Sequence, residues 1–205
     1  MAHKTVYLIR HGRTPGNAEK RYIGKRTDEE LSDTGVELAK EMRDKIHLLV
    51  RERPSRFVSS PMKRAVQTAN ILFDCPELTT IDELMEMDFG YFEGKNYPEL
   101  NGDKLYQEWI DSNGEMDIPG SEGRKAFFRR SNEGLVKAMG DKNKDEVIGI
   151  VCHGGNIMAI MSSFAGGNYY YYMTDNLLGY CLELETDDEG IHFISYRKLG
   201  TGDNT

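Results

Sequence analysis

Glu146-Val147-Ile148-Gly149-Ile150-Val151-Cys152-His153-Gly154-Gly155 is the stretch on which the fold turns. Glu146 to Val151 is a β-prone apolar run without polar alternation, the pattern of a strand covered on both faces. It empties into His153-Gly154-Gly155, after which Ile157, Ile160, Met161 and Phe164 recur at helical spacing. The unit is therefore strand, polar loop, helix. The same unit occurs twice upstream. Lys4 to Ile9 forms a compact β-prone run that stops at Arg10-His11-Gly12, and Pro15-Gly16-Asn17 reads as loop. Arg56 to Ser59 is a second short strand. Ser60-Pro61 then offers an N-cap with proline at the first helical position, starting a helix from Met62 to Phe73. Three such units, separated by helices, predict an α/β fold with a mostly parallel central sheet and helices on both faces. Sites in such sheets lie beyond the carboxyl ends of the strands.

Between these units, Thr34-Gly35-Val36-Glu37 has capping-box spacing, and Val36, Ala39, Met42, Ile46 and Leu49 predict one helix of about four turns. Residues 77–120 carry weaker patterning: a short apolar piece from Leu78 to Ile81, then Phe89-Gly90-Tyr91-Phe92-Glu93-Gly94, then a helix through Leu105 and Trp109. That segment is expected to be a cap inserted over the sheet of a single domain spanning residues 1–205. Ser121 is positioned to cap a helix that holds Phe128, Leu135 and Met139 and ends near Gly140. Two further β-like runs, Tyr180 to Leu184 and His192 to Tyr196, precede a polar tail, Thr201 to Thr205, expected to fray.

The composition narrows the function classes. At 205 residues the chain can bury a sizeable core without disulfides or metal, and its net charge of −8 makes the surface as a whole repel nucleic acid and anionic membranes. Cys75, Cys152 and Cys181 are odd in number and lack CxxC spacing, so neither a disulfide framework nor a zinc cluster is expected, and a reducing cytoplasm fits best. No run approaches ~18 uninterrupted apolar residues, so no membrane span or export signal is expected.

Within this acidic chain, Arg10, Arg13, Lys20, Arg21, Lys25 and Arg26 cluster around one acid, Glu19, which points to a local anion site. Lys20, Lys25 and Arg26 are individually read as solvated surface. Arg10 adjoins a buried strand end, and its forked guanidinium suits bidentate phosphate contact. His11 and His153 follow buried strands and precede glycine, which lets a ligand approach the backbone. Their companions are arginines rather than carboxylates or thiolates at ligand spacing, which disfavours a metal. A neutral imidazole beside arginines can attack phosphorus while the guanidiniums neutralise the phosphoryl oxygens. An alkoxide leaving group then needs a general acid, and a buried carboxyl is the usual provider. Cys152 is read as a small hydrophobe, and His3, His47 and His192, without partner motifs, as surface or core residues.

Arg10 to Asn17, Ser59 to Ala69, Leu84 to Gly94 and Cys152 to Gly155 resemble, in order, the four signature blocks of the histidine phosphatase superfamily, also called phosphoglycerate-mutase-like. The resemblance implies that fold, with His11 as the nucleophile that becomes phosphohistidine and Arg10, Arg64 and His153 around the phosphoryl group. It makes Glu86 the proton donor and later the base for water. Thr14 and Asn17 match phosphate-binding positions, and Arg13, Arg21, Gly24 and Gly154 join them as substrate- or phosphate-binding candidates. It implies no cofactor and no metal. Arg13 stands where many relatives carry Glu or Gln, and Pro119-Gly120-Ser121-Glu122-Gly123 matches the family's Gly-Gly-Glu-Ser stretch imperfectly, leaving substrate contact and a turn with a helix cap both open.

Met85-Glu86-Met87 and a modest cap favour a phosphatase over a phosphoglycerate mutase. Glu86 to Gly94, Tyr97-Pro98-Glu99-Leu100, Trp109 and Asp111 are similar to bacterial α-ribazole phosphatases and their broad-specificity relatives. The expected partner is a small phosphomonoester, such as a nucleoside or sugar phosphate. A non-catalytic phosphate-binding module is the rival from another class; His11, Glu86 and His153 together argue against it. The run Tyr169 to Tyr172 is open between an aromatic wall for substrate, an oligomer contact and packing beside a loop.

Overall fold

A computed structural model of the chain describes residues 1–200; the expectation for Thr201–Thr205 lies outside the described residues. In chain order the elements begin with β1 (Ala2–Arg10), α1 (Pro15–Ala18), α2 (Asp33–Asp44), α3 (Ile46–Leu49), β2 (Arg56–Ser59), α4 (Lys63–Phe73) and β3 (Thr79–Thr80). They continue with α5 (Tyr97–Leu100), α6 (Lys104–Asp111), α7 (Arg124–Ala138), β4 (Glu146–Cys152), α8 (Gly154–Phe164), β5 (Gly179–Thr186) and β6 (Ile191–Leu199). The six strands form one sheet in the order β3-β2-β4-β1-β5-β6. Pairings among β3, β2, β4 and β1 are parallel, and β5 and β6 add antiparallel strands at one side. The sheet is thus mixed and mostly parallel, with helices on both faces.

Strand alternation sorts the core. Val6 and Leu8 of β1, with Ile148 and Ile150 of β4, pack against Leu135 and Met139 at the end of α7 and Ile157, Ile160 and Met161 of α8. Tyr7 and Ile9 face the other way, toward Ala39 of α2 and Ala65, Ala69 and Leu72 of α4. Each such side chain, fully buried, contributes roughly 1.5–3 kcal/mol before entropy is counted. A third cluster of Phe92, Leu100, Tyr106 and Ile118, joined by Tyr22, Phe89 and Trp109, stands apart from both faces.

Register places the site. Arg10 of β1 lies opposite Cys152 of β4, and Ser59 of β2 opposite Val151. The ladder continues one residue past each strand, because the His11 amide donates to the Cys152 carbonyl (2.9 Å) and the Ser60 amide to the Val151 carbonyl (3.0 Å). His11, Ser60 and His153 therefore leave the sheet side by side at its carboxyl edge.

Several local expectations are corrected. The four-turn helix is split at Lys45, whose amide bonds Met42 three residues back; the tightened turn redirects the chain so that Leu49 is buried. Its cap is Ser32, whose hydroxyl accepts from the Gly35 amide (3.0 Å), in place of Thr34. α4 starts at Lys63 with Met62 in the cap position, and the Ser60 hydroxyl, two residues earlier, accepts from both the Met62 amide (3.3 Å) and His153 (2.8 Å). α7 starts after Gly123, and the Arg124 amide is capped by Asp117 (3.0 Å), while the Ser121 hydroxyl takes the Gly123 amide. The Leu78–Ile81 piece pairs only at Thr79–Thr80.

Candidate active site

A cavity of about 310 Å³ opens at the carboxyl edge of the sheet. Arg10, His11, Asn17, Glu86 and Gly154 line its inner end. Arg64 and His153, both essentially inaccessible, lie beside them in the floor, where the His11 and His153 rings meet edge to face at 5.1 Å. Residues from the first loop, α4, the Leu84–Gly94 segment and the start of α8 thus converge on one place.

The imidazoles are held in defined tautomers. Nδ1 of His11 lies 2.7 Å from the Gly12 carbonyl, which can only accept, so Nδ1 carries the proton and Nε2 keeps its lone pair. His153 is the mirror case. Its Nδ1 accepts from Arg64 Nε (3.3 Å), leaving Nε2 to donate to the Ser60 hydroxyl (2.8 Å). Burial, followed by the Arg64 and Arg10 charges, holds His11 well below the ordinary imidazole range. Burial and Arg64 do the same to His153. Both rings are neutral near pH 7.

Arg64 spends donors on His153 and on the carbonyls of Thr27, Ile23 and Gly24, which lock its plane and leave one of its five N–H groups for a ligand. Arg10 donates to the Thr174 carbonyl (2.7 Å). Arg10 Nε and the Thr174 hydroxyl, both buried beside the cavity, have no hydrogen-bond partner among the described residues. Buried polar atoms are rarely left so, and the oxygen of an anion held in the cavity would be an acceptor for Arg10. Its sign matches the partial positive charge at the start of α8.

Glu86 sits against that helix start. Its carboxyl accepts from the Met87 amide (2.8 Å) and the Gly155 amide (3.2 Å). Burial raises its pKa, opposed by those two amides and by Arg64 and Arg10. Gly155 must lack a side chain here, because a Cβ would overlap Glu86 Oε1 and lie 3.0 Å from the Phe127 ring. The cavity's outer wall is aromatic and thioether-rich: Tyr22, Phe89, Trp109, Phe127, Tyr169 and Tyr170, with Met87, Met158 and Met173. Tyr169 and Tyr170 of the tyrosine run therefore face the cavity.

The remaining sequence candidates fall elsewhere. Thr14 is buried and caps α1: its hydroxyl accepts from the Asn17 amide, and Asn17 Oδ1 accepts from the Thr14 amide. Arg21 reaches the cavity wall, but its guanidinium is tied to Glu19 (2.6 Å), Glu99 (2.8 Å) and the Gly94 carbonyl. Gly24 donates its amide to Glu93 (2.9 Å) and gives its carbonyl to Arg64, so it shapes the arginine rather than touching a ligand. Arg13 does not reach the cavity. Its backbone packs on Ser32 and Gly35 at the start of α2, and its side chain lines a separate surface hollow with Glu41 and Lys45. The Cys152 thiol is buried, and burial pushes its pKa up, which suits the small hydrophobe the sequence suggested.

Sequence reasoning does not single out Asn176 or Thr68. The Asn176 amide donates to the carbonyls of His11 (2.8 Å) and Gly12 (3.3 Å) and to Asn17 Oδ1 (3.2 Å), which turns the Asn17 NH2 away from it. The Thr68 hydroxyl holds the Gly12 amide (2.9 Å) and donates to the Arg64 carbonyl. Asn176 lies outside the four blocks; Thr68 lies within Ser59 to Ala69, but its reach to Gly12, across 56 positions, leaves no local signal.

A family model described as the histidine phosphatase superfamily (branch 1) matches residues 6–194. Among curated proteins, the chain is 32% identical over 161 residues to Phosphoglycerate mutase-like protein 4 of Arabidopsis thaliana, covering 76% of this chain and 68% of that one. It is 28% identical over 162 residues to the Metal-independent phosphoserine phosphatase of the same plant, covering 76% and 66%. The match spans about two thirds of these relatives' lengths. Among solved structures, the α-ribazole phosphatase of Shigella flexneri superposes with a TM-score of 0.76 at 22% identity, over 98% of this chain and 100% of that one, a likeness of fold.

Proposed function

The chain belongs to the histidine phosphatase superfamily, and we propose that it hydrolyses small phosphomonoesters in two steps on His11 without a metal. One observation carries this reading: the Nδ1–H of His11 is fixed on the Gly12 carbonyl, so the nitrogen left with a lone pair is Nε2, in a ring lining the cavity between two arginines. In the first step Nε2 attacks phosphorus as the ester P–O bond breaks. The departing oxygen takes a proton from the Glu86 carboxyl. Arg10, Arg64 and the Asn17 amide neutralise the phosphoryl oxygens, so positioning and charge supply most of the acceleration. In the second step Glu86 carboxylate takes a proton from water, the oxygen attacks phosphorus, and the P–N bond breaks. Inorganic phosphate leaves, with His11 neutral and Glu86 protonated again. Thr14, Arg21 and Gly24 hold the loop in place, and Gly154 lets the phosphoryl group approach the start of α8.

The aromatic wall favours an alcohol with a flat or apolar body. Nucleoside or sugar phosphates fit, α-ribazole phosphate among them, and one superposing structure is an α-ribazole phosphatase. The residues 77–120 cap, with its own apolar cluster, would select among them. Among the described residues no helix is long and apolar enough to cross a membrane.

The test is phosphate release from a panel of phosphomonoesters in EDTA, with His11→Ala alongside. Release by wild type alone, with an acid-labile phosphoenzyme trapped on quenching, is the expected result. Release by both proteins, or inhibition by EDTA that a divalent metal reverses, overturns the reading.

A further inference from the structure

The backbone that carries Glu86 is bonded by a residue outside the cavity lining. Glu86 lies in an irregular segment between the 3-10 turns Asp82–Leu84 and Gly90–Phe92, and such a segment has no ladder to fix its height above the sheet. The Asn156 amide reaches the Met85 carbonyl and the Lys25 amide the Met87 carbonyl (both 3.2 Å), but one side chain gathers three carbonyls of the segment at once. Arg130, on α7, donates through NH1 to the carbonyls of Glu83 (2.9 Å) and Met85 (2.8 Å), and through NH2 to the carbonyl of Glu86 itself (3.2 Å). Its remaining donors go to Glu122, from Nε (3.0 Å) and NH2 (2.7 Å). All five N–H groups of the guanidinium are thereby used.

Glu122 closes the arrangement from the far side, since the same Oε1 that receives Arg130 also takes the amide of Asp88 (2.9 Å). Residues 83, 85, 86 and 88 are thus pinned by one ion pair. Both partners are largely shielded from water, with side chains 20% and 13% exposed. The guanidinium also stacks on Phe127 at 5.1 Å, and Phe127 is the ring beside Gly155 where the Glu86 carboxyl rests. The charged and titratable groups that face Glu86 itself are Arg10, Arg64, Cys152 and Tyr169; Arg130 holds the backbone behind it.

We propose that the Arg130–Glu122 pair is the positioning device for proton donation by Glu86, fixing the segment that carries it so that the carboxyl meets the leaving oxygen. This rests on the reading of Glu86 as the donor. A forked, planar cation with five donors is required, because three carbonyls and a carboxylate at different angles exceed what an ammonium can reach at once.

The experiment compares kcat/KM, which reports the phosphoryl transfer and not the later hydrolysis that Glu86 also serves, for an alkyl phosphate, whose alkoxide needs a proton, and for p-nitrophenyl phosphate, whose phenolate does not. Wild type, Arg130→Gln, Arg130→Lys and Glu86→Gln are run together. Arg130→Gln is expected to lose about tenfold or more on the alkyl ester beyond any loss on the aryl ester, part of the 10²–10⁴ that a general acid supplies, with KM little changed. Arg130→Lys should fall between it and wild type. Equal losses on both esters, or a lysine variant no better than the glutamine one, overturn the proposal. If Arg130→Gln does not fold, Glu122→Gln, which keeps one acceptor for the guanidinium, carries the same comparison. Leaving-group dependence in Glu86→Gln but not in the Arg130 or Glu122 variants sinks only the positioning role. Its absence from Glu86→Gln sinks the donor reading, and this proposal with it.

Discussion

The floor of the cavity and its outer wall are built by different physics. In the floor, Arg10, His11, Ser60 and His153 leave adjacent strands in register, and each is held by short polar bonds to backbone or to one another. In the wall, Tyr22, Phe89, Trp109, Tyr169 and Tyr170 come from loops, from α6 and from the Tyr169–Tyr172 turn. Rings there pack edge to face, as Tyr22 does on Phe89 at 5.4 Å and on Trp109 at 5.8 Å. Hydrogen bonds fix atoms to tenths of an ångström, whereas ring packing tolerates exchange of one apolar body for another. The floor is suited to one reaction and the wall to choosing its substrate.

If that division holds, damage to the floor should cost turnover on every ester. His11→Ala is expected to lower kcat by about 10⁴-fold or more and to abolish the acid-labile phosphoenzyme, as loss of a nucleophile does elsewhere; steady-state phosphate release and acid-quench labelling check both. Next in size is Glu86→Gln, at the junction of floor and wall. In kcat/KM it should lose about 10²- to 10³-fold on alkyl phosphates and only a few-fold on p-nitrophenyl phosphate, while slowed hydrolysis of the phosphoenzyme lowers kcat on both.

The pH profile sharpens the same boundary. Protonation of His11 removes the lone pair, so kcat/KM falls as pH drops through its pKa. Burial, Arg64 and Arg10 place that acid limb below the ordinary 6.5. Ionisation of Glu86 removes the donor, so activity on alkyl esters falls as pH rises through a pKa that burial lifts above 4.5. An aryl ester should keep the acid limb and lose most of the basic one; a full bell on both would merge the roles separated here. Gly155→Ala should act through the contact its methyl makes with Glu86, costing about tenfold on alkyl phosphates and lowering Tm by a few degrees.

The smallest effects belong to the wall. Trp109→Ala should alter KM by about 5- to 30-fold for substrates with aromatic or sugar bodies, the loss of one ring contact, while leaving kcat on p-nitrophenyl phosphate within about twofold. A comparable fall in kcat on every ester would show that the wall also shapes the floor.

The floor was legible in the sequence because its signals are local. A short apolar run followed at once by Arg10-His11-Gly12 or His153-Gly154 states both the strand and what stands at its end. The position of Arg64 in the first turn of α4 follows from the same logic. Contacts that depend on how distant segments meet were not legible. Asn176 reaches His11 across 165 positions, and Arg130 reaches Glu83 across 47, with no periodicity to announce either. Ser60 reads as a helix cap because Ser-Pro before a helix usually is one; its hydroxyl does take the Met62 amide, but its second bond, from His153 across 93 positions, has no sequence signal. Arg13 failed for a related reason. Charge alone placed it near the phosphate, while the packing of its backbone on α2 sends its side chain out of the cavity.

The ladder bonds that run one residue past β1 and β2 also bear on motion. The amides of His11 and Ser60 are bonded to the carbonyls of Cys152 and Val151 as if they were strand residues, in the most buried part of the sheet. Amides of that kind are expected to exchange with deuterium only when the whole domain opens, and those of the Tyr169–Tyr172 turn and its glycine-flanked approach through local fluctuation. On the proposed reading the backbone of the nucleophile would stay fixed through turnover, and substrate entry and phosphate departure would fall to the aromatic side of the cavity.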